Sequence, residues 1–286
     1  MGGSPMLDNR VYTFLKLCEL MNYRRTAEAL NMTQPAVTQH IHVLEREYGC
    51  KLFSYDGRTL EKTEECAALE RHLRAEVFNE LIFRQELGRP RARKIAIGAT
   101  KTIGDYTIEQ KVLELLDRDD IELELLVDNT DNLLAKLNAL ELDLLLVEGF
   151  VDKENYGTAL IKEELLVGIC GKDHPFAGQT VPLEALFDQH ILVREEGSGT
   201  RAVFEQFLYE QGYSSARFRK RSAISSFKLI EQAVAENKGI SFVYESIPKK
   251  NETLATFCIE GARISHEFNY VFLKNSNAPE LFELLA

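Results

Sequence analysis

The feature that most constrains this fold is a regular alternation of strand-like and helix-like segments from Lys94 onward. Runs such as KIAIGA and LDLLLVEG are apolar along almost their whole length, as is typical of strands buried on both faces. Amphipathic segments such as DYTIEQKVLELL and NLLAKLNAL are each expected to form one helix. This alternation predicts βαβ units and an α/β fold with a mainly parallel sheet. Two successive sets of segments predict two similar lobes with ligand space between them.

The first sixty residues follow a different pattern. Apolar residues in 8–22 recur at helical spacing, and two further helices are expected over about 24–30 and 34–48, the last stopped by Gly49. The run KLFSYDGRTLEKT predicts two short strands joined at Asp56 and Gly57, a dipeptide suited to a tight hairpin turn. Three short helices and a β-hairpin predict a winged helix-turn-helix.

The third predicted helix has two different faces. Its apolar face, which we expect to be buried, consists of Val37, Ile41, Leu44 and Tyr48. The opposite face is polar near the N-terminal end, where glutamine can pair with adenine, threonine can contact a base and the helix terminus favours a phosphate. This inventory predicts a recognition helix, with a merely solvated face as the alternative. The side chains that this reasoning assigns to DNA are Thr33, Gln34, Pro35, Thr38, Gln39, His42 and, in the wing, Arg58.

Residues 64–87 predict a long helix with a narrow apolar stripe formed by Leu69, Leu73, Val77 and Leu81. Gly88 and Pro90 are expected to end it. We interpret the stripe as a dimerisation element, with packing onto its own domain as the alternative.

Charge and composition narrow the function. The net charge is −11, but residues 1–94 hold 15 Lys/Arg against 13 Asp/Glu, so the acidity belongs to the remainder, and only the first part is suited to DNA. No run is long and apolar enough to span a membrane and no secretory signal is visible, so we expect a cytoplasmic protein. Five scattered cysteines predict neither a disulfide framework nor a metal site, and we expect no cofactor.

The stretch from Asn22 to Glu65 resembles the N-terminal domain of LysR-type transcriptional regulators. The resemblance rests on A-E-x-L in the second helix, T-Q-P-A-V-T-x-x-I in the third, L-E-x-E-x-G-x-x-L-F after it, and R-x-x-x-x-T in the wing. It implies that Ala36 approaches DNA together with Gln34, Pro35, Thr38, Gln39 and Arg58. Three positions depart from the family pattern: Thr26 replaces the usual alanine, Lys62 a common apolar residue, and Cys66 the usual glycine.

The remainder resembles the effector domain of that family, which is built like a periplasmic binding protein with two lobes. The expected divisions are 6–63 for the winged helix-turn-helix, 64–90 for the linker helix and 91–286 for the effector domain. Lobe I is expected to comprise about 91–164 and 260–286, and lobe II about 165–259.

Two loops of this remainder carry the best local chemistry for a ligand. In REEGSGTR, from Arg194 to Arg201, glycines precede a helix that Ser198 or Thr200 would cap, and such a helix start favours an anion, although an ordinary capped turn is the alternative. GATKTIGDY repeats the arrangement, and together the loops predict an anion clamp. Glu148 borders the cleft or forms a rim charge, and Ser225 and Ser226 suit helix capping. The predicted effector-binding residues are Thr100, Lys101, Thr102, Gly149, Ser198, Gly199, Thr200 and Ser226.

These features predict a regulator controlled by a small, anionic effector. Dimers formed through the linker helices would bind a roughly palindromic promoter site with half-sites about one turn apart, ~10 bp, and the resemblance implies a homotetramer. An enzyme or a solute-binding protein on a two-lobed fold is the rival class, but GxSxG, HExxH and Walker-type motifs are absent from the sequence. A third possibility is a redox regulator acting through Cys170 or Cys258.

Overall fold

The computed structural model describes residues 7–56, 58–88 and 92–285. It divides into two compact units, which are described separately. The first comprises Met1–Arg91 and Leu273–Glu280, and the second Ala92–Phe272 and Leu281–Ala286. In the described part of the chain, no helix is long and apolar enough to cross a membrane.

The first unit has three short helices, a two-stranded hairpin and one long helix. The elements are α1 (Asn9–Leu20), α2 (Tyr23–Ala29), α3 (Gln34–Tyr48), β1 (Phe53–Tyr55), β2 (Leu60–Lys62) and α4 (Glu64–Gly88). Asp8, Asn22 and Thr33 cap the three short helices by accepting backbone N–H groups in their first turns. The strands pair antiparallel, and Asp56 accepts the backbone N–H groups of Arg58 and Thr59. The predicted turn residue Gly57 lies outside the described residues.

The buried face of α3 differs from the prediction at one position. Val37, Ile41 and Leu44 are buried, but Tyr48 is exposed, so its assignment to the core was wrong. Glu45 is buried there instead. Its carboxylate accepts the Leu52 backbone N–H at 3.1 Å and pairs with Lys51 at 2.8 Å, which satisfies a buried backbone donor where the chain leaves the helix.

The apolar stripe of α4 is mostly covered within the chain. Leu69, Leu73 and Val77 are buried, whereas Leu81 is exposed. Two further apolar side chains, Phe83 and Leu87, are also exposed on this helix at i and i+4 spacing. The predicted terminator Pro90 lies outside the described residues.

The second unit is an α/β structure in which helices and strands alternate. Its elements are β3 (Arg93–Thr100), α5 (Lys101–Tyr106), α6 (Glu109–Leu116), β4 (Ile121–Asp128), α7 (Thr130–Asn138), β5 (Leu144–Glu148), β6 (Tyr156–Gly171), β7 (Thr180–Val181), α8 (Leu183–Leu186), β8 (His190–Val193), α9 (Gly199–Glu210), β9 (Lys220–Ala223), α10 (Phe227–Ala235), β10 (Ser241–Tyr244), β11 (Leu254–Ile259), β12 (Ile264–Leu273) and α11 (Phe282–Leu285).

The sheet is mixed, which corrects the expectation of a mainly parallel one. Strands β3, β4 and β5 are parallel, as βαβ units require. Strand β12 pairs antiparallel with β5, and β10 and β11 pair antiparallel with β6. The antiparallel pairs come from two long neighbouring strands, β6 with 16 residues and β12 with 10 residues, at the centre of the eight-stranded sheet. These strands are not part of βαβ units, so their neighbours need not be parallel to them.

Two local expectations were also incomplete. The segment DYTIEQKVLELL forms parts of two helices, α5 and α6, because the chain turns between them and buries Ile108. Strand β11 was not expected, although three of its residues, Leu254, Phe257 and Ile259, contribute to the core.

Candidate functional site

The first candidate site is the exposed face of α3. Thr33, Gln34, Pro35, Gln39 and His42 are exposed, and Ala36 and Thr38 are partly exposed. Arg58 is exposed in the segment between β1 and β2. The structure therefore leaves every predicted DNA-binding side chain accessible and places seven of the eight on α3 and its N-cap.

Local hydrogen bonds divide these residues into two groups. Thr33 accepts the Ala36 backbone N–H at 3.4 Å, and the Thr38 hydroxyl donates to the Gln34 carbonyl oxygen at 3.0 Å. Within residues 7–56 and 58–88, no protein group satisfies the side-chain amides of Gln34 and Gln39. These amides can therefore bind an outside partner without first breaking a bond in the protein.

The histidine inside the same stretch has a structural role. His40 Nδ1 lies 2.9 Å from the Thr13 hydroxyl on α1, which ties α3 to the first helix. His42, two positions further along α3, is exposed.

The three departures from the family pattern have structural explanations. Thr26 is fully buried, and its hydroxyl donates to the Asn22 carbonyl oxygen at 2.8 Å. Lys62 pairs with Glu70 on α4 at 2.6 Å, so it fixes the hairpin to the linker helix. The Cys66 sulfur lies 3.8 Å from that of Cys18 in a buried contact between α4 and α1. Sequence spacing gave no signal for this pair of thiols.

The second candidate site lies between the two lobes of the second unit. The hydroxyl of Thr100, at the end of β3, donates to the carboxylate of Glu148, at the end of β5. The Thr102 and Thr200 hydroxyl oxygens lie 3.3 Å apart and belong to opposite lobes. All four side chains are buried, so Glu148 is not a rim charge.

Burial controls the protonation of Glu148. Loss of solvent raises the pKa of its carboxyl group to about 7, while the Thr102 and Thr200 hydroxyls and the charge of Arg194 act in the opposite direction. The interlobe contact therefore contains a carboxyl group that titrates close to neutral pH.

Lys101, one of the predicted effector-binding residues, forms an ion pair within the protein. Lys101 Nζ lies 2.8 Å from Glu195 Oε1 and 3.4 Å from the Ser225 carbonyl oxygen. Glu195 also pairs with Arg194 at 2.9 Å. Glu195 therefore neutralises much of the positive charge that Lys101 would offer to an anion.

Arg194 belongs to the quoted loop but was not among the predicted ligand-binding residues. It is buried, its guanidinium lies 5.2 Å from the ring centre of Phe227, and its Nη1 atom has no hydrogen-bond partner in the described part of the chain. The signal that could have identified it is an arginine directly after an apolar strand, a position where a charged side chain is rarely buried without a partner.

Two glycines bring the lobes into backbone contact. Gly149 has φ +110, a conformation that favours glycine. A Cβ atom added to Gly199 would lie 2.1 Å from the Glu148 carbonyl oxygen, and one added to Gly149 would lie 2.8 Å from the Gly199 Cα. Both positions therefore require the absence of a side chain.

The serines of the prediction have different roles. Ser198 occupies the N-cap position of α9 and is buried, but its side chain makes no capping hydrogen bond. Thr200 does not cap the helix either, since its hydroxyl faces Thr102. Ser226 caps α10 by accepting the Leu229 N–H at 3.3 Å, and it is exposed. Ser226 follows directly after Ser225, whose carbonyl oxygen lies 3.4 Å from Lys101 Nζ.

Cys170 and Cys258 lie on the paired strands β6 and β11. Cys170 is opposite Ala255, three positions from Cys258. Burial raises the pKa of the Cys170 thiol to about 11, which disfavours the reactive thiolate. Cys258 is exposed.

Comparison with protein families decides the identity of the two units. Residues 9–67 match the model for "Bacterial regulatory helix-turn-helix protein, lysR family", and residues 88–286 match the "LysR substrate binding domain". The chain belongs to the LysR family of transcriptional regulators. This LysR-type regulator therefore combines a DNA-binding domain with an effector-binding domain, and it is not an enzyme.

Named relatives and solved structures agree with this assignment. The regulator is 24% identical to "HTH-type transcriptional regulator CysL" of Bacillus subtilis over 94% of this chain and 93% of the relative. It is 29% identical to the "RuBisCO operon transcriptional regulator" of Allochromatium vinosum over 84% and 81%. Full-length OxyR from Pseudomonas aeruginosa has the same fold, with a TM-score of 0.62 and 19% identity over 99% and 94% of the two chains. The Synechocystis CcmR regulatory domain matches with a TM-score of 0.60 and 23% identity over 67% and 95%.

Proposed function

We propose that this LysR-type regulator reads a roughly palindromic promoter site with α3, and that a small effector held between its two lobes controls that binding. The observation that carries the first part is the exposed start of α3, where two glutamine side chains have no hydrogen-bond partner among the described residues. Paired hydrogen bonds from such amides to adenine discriminate bases, while Arg58 in the wing would contact phosphate or the adjacent minor groove.

The expected effect of removing both amides is large and specific. The double variant Gln34→Ala and Gln39→Ala should weaken binding to the promoter by at least roughly 30-fold, since each good base contact contributes about 1–3 kcal/mol and two are removed. Arg58→Ala should weaken binding to every DNA sequence to a similar extent. It should also reduce the steepness of the plot of log affinity against log salt concentration by about 1. Fluorescence anisotropy with promoter DNA and a scrambled duplex over a salt series measures both.

A matched control is available in the other unit. Gln206 is an exposed glutamine on α9 that donates to Glu210 within its own helix. Gln206→Ala should leave DNA affinity unchanged. Unchanged promoter affinity in the α3 double variant would contradict the assignment of the reading face.

The proposed effector site is the cluster of hydroxyls and backbone groups between the lobes. Thr100 and Thr102 approach it from one lobe, and Ser198 and Thr200 from the other. Hydroxyls and a helix N-terminus suit an anionic group, so the proposed effector carries one. The CcmR regulatory domain, which shares this fold, was solved with 2-PG, and this supports a small-molecule ligand. Binding would favour one arrangement of the lobes and so shift the population of DNA-binding assemblies.

The proposed assembly is a homodimer through α4 that pairs further into a homotetramer. The exposed side chains of Phe83 and Leu87 form one apolar face of this helix. The double variant Phe83→Ser and Leu87→Ser should break the α4 interface and so lower the mass of the assembly at least twofold, because two serines remove the apolar area that the partner helix would cover. Light scattering coupled to size exclusion measures the mass.

Tyr209, an exposed aromatic residue on α9, provides the comparison. Tyr209→Ser should form an assembly of the same mass in solution as the native protein. A double variant on α4 that retains the native mass would show that this face does not hold the assembly together.

A further inference from the structure

A chamber of about 300 Å3 opens beside the glycine contact between the lobes. One lobe contributes Thr130, Asp131 and Phe150 to its wall. The other lobe contributes the loop and helix start that contain Glu196, Ser198 and Gly199. A ligand of amino-acid size fits this volume and would touch both lobes at once.

One end of this interlobe chamber is suited to a carboxylate. Helix α9 begins there and is 12 residues long, and the described residues provide no hydrogen bond to the backbone N–H groups of the lining residues Gly199 and Arg201. The N-cap serine leaves these donors unsatisfied, since its side chain makes no capping bond. Unsatisfied amides at a helix N-terminus attract a negative group.

The other end carries negative charge. Asp131 and Glu196 are exposed, and neither carboxylate forms an ion pair or hydrogen bond with any described residue. Glu205, which also lines the chamber, is by contrast paired with Arg201 at 3.0 Å. Two unpaired carboxylates facing one small space favour a cationic group.

Two further side chains point to a ligand in this space. Thr130 is 7% exposed, and its hydroxyl oxygen is buried without a hydrogen-bond partner among the described residues. A buried hydroxyl without a partner is costly unless something outside the protein supplies one. Phe150 is 57% exposed at the wall, where its ring can cover an alkyl chain or an ammonium group.

The two ends of the chamber are close together. A Cβ atom added to Gly197 would lie 3.4 Å from Asp131 Oδ2, so this carboxylate approaches the loop that leads directly into α9. The cationic and anionic groups of one ligand must therefore be separated by only a few bonds. An α-amino acid has this spacing, whereas a diamine lacks the carboxylate and a simple organic acid lacks the ammonium group.

We propose that the interlobe chamber binds a small α-amino acid, with its carboxylate at the N-terminus of α9 and its ammonium group between Asp131 and Glu196. This inference rests on the proposed function only in that a ligand held by both lobes would act as the effector. It specifies the ligand as a zwitterion, in which the anionic group is accompanied by a cationic one.

The test uses the full chain and a panel of the twenty common L-amino acids. Thermal shift identifies the best of them, and calorimetry compares it with the amine that lacks its carboxylate and with the acid that lacks its amino group. We expect stabilisation by at least one amino acid and at least tenfold weaker binding of both analogues. Equal binding of the acid, equal binding of the amine, or no binding by any member at 10 mM, roughly the weak limit for a specific ligand, would overturn the proposal.

Variants connect the binding to the named residues. Asp131→Asn and Glu196→Gln should each weaken binding of the amino acid at least tenfold, and Thr130→Val should weaken its binding to a smaller extent. Glu210→Gln, at an exposed carboxylate on α9 outside the chamber, should bind like the native protein. Unchanged affinity in both carboxylate variants also overturns the proposal. These measurements contain no DNA, so loss of promoter binding and loss of amino-acid binding are separate outcomes.

Discussion

Replacing Glu148 by glutamine is expected to stabilise the regulator at pH 8 by roughly 3 kcal/mol while changing its stability little at pH 4.5. For a unit of this size, that difference raises the unfolding temperature by roughly 6–12 °C. Differential scanning calorimetry of the full chain between pH 4.5 and pH 8 measures it, with native protein and variant in the same buffers.

The sign follows from the direction of the pKa shift. Burial raises the pKa of Glu148 from 4.5 to about 7 in the folded protein. Below pH 4.5 the carboxyl group is protonated in both the folded and the unfolded chain. Between pH 4.5 and pH 7 the folded chain holds the proton more tightly, so stability falls as the pH rises through this window. Glutamine keeps the shape and has no proton to lose, so the variant lacks this loss.

Glu164 provides a control of opposite sign. Burial raises the pKa of Glu164, but hydrogen bonds from Lys162 and Ser246 lower it by more, so the net shift of the pKa is downward. Glu164→Gln should therefore give no stabilisation that grows between pH 5 and pH 8. A flat difference between Glu148→Gln and the native protein over this range would show that Glu148 does not titrate in a buried site.

The start and end of α3 could be predicted because the signals are local. Thr33 caps the helix, Pro35 fits its first turn and Gly49 ends it with φ +69. Its buried face could not be completed in the same way. The backbone N–H of Leu52 needs an acceptor, and Glu45 satisfies it from seven positions away while Tyr48 turns to solvent.

The effector loops show the same limit over a longer range. Parallel strands end at one edge of a sheet, so the chain turns after β3 and β5 had to meet. The partners within that edge depend on residues far apart in sequence. Lys101 meets Glu195 across 94 positions, and Thr100 meets Glu148 across 48. No spacing rule indicates that the predicted anion clamp would hold a carboxylate of the protein itself.

The backbone contact between the lobes leads to the second large effect. Gly199→Ala should destabilise the second unit by about 1–3 kcal/mol, the usual cost of overpacking, and should increase the radius of gyration. The added Cβ atom would lie 2.1 Å from the Glu148 carbonyl oxygen and 2.9 Å from its carbonyl carbon. A backbone group cannot rotate away as a side chain can, so the strain is relieved only if the two chain segments separate.

Gly212 separates this effect from ordinary backbone strain. It has φ +78 and nothing within 4 Å of an added Cβ atom, so Gly212→Ala costs about 1–2 kcal/mol from its left-handed conformation and leaves the lobes in place. Small-angle scattering should therefore detect expansion in Gly199→Ala and not in Gly212→Ala, although calorimetry detects a loss of stability in both. Equal scattering from the two variants would mean that the lobes are not held together at Gly199 in solution. Expansion of Gly199→Ala alone would identify this contact as the point where lobe closure is limited, one residue from Thr200, whose hydroxyl lies 3.3 Å from that of Thr102.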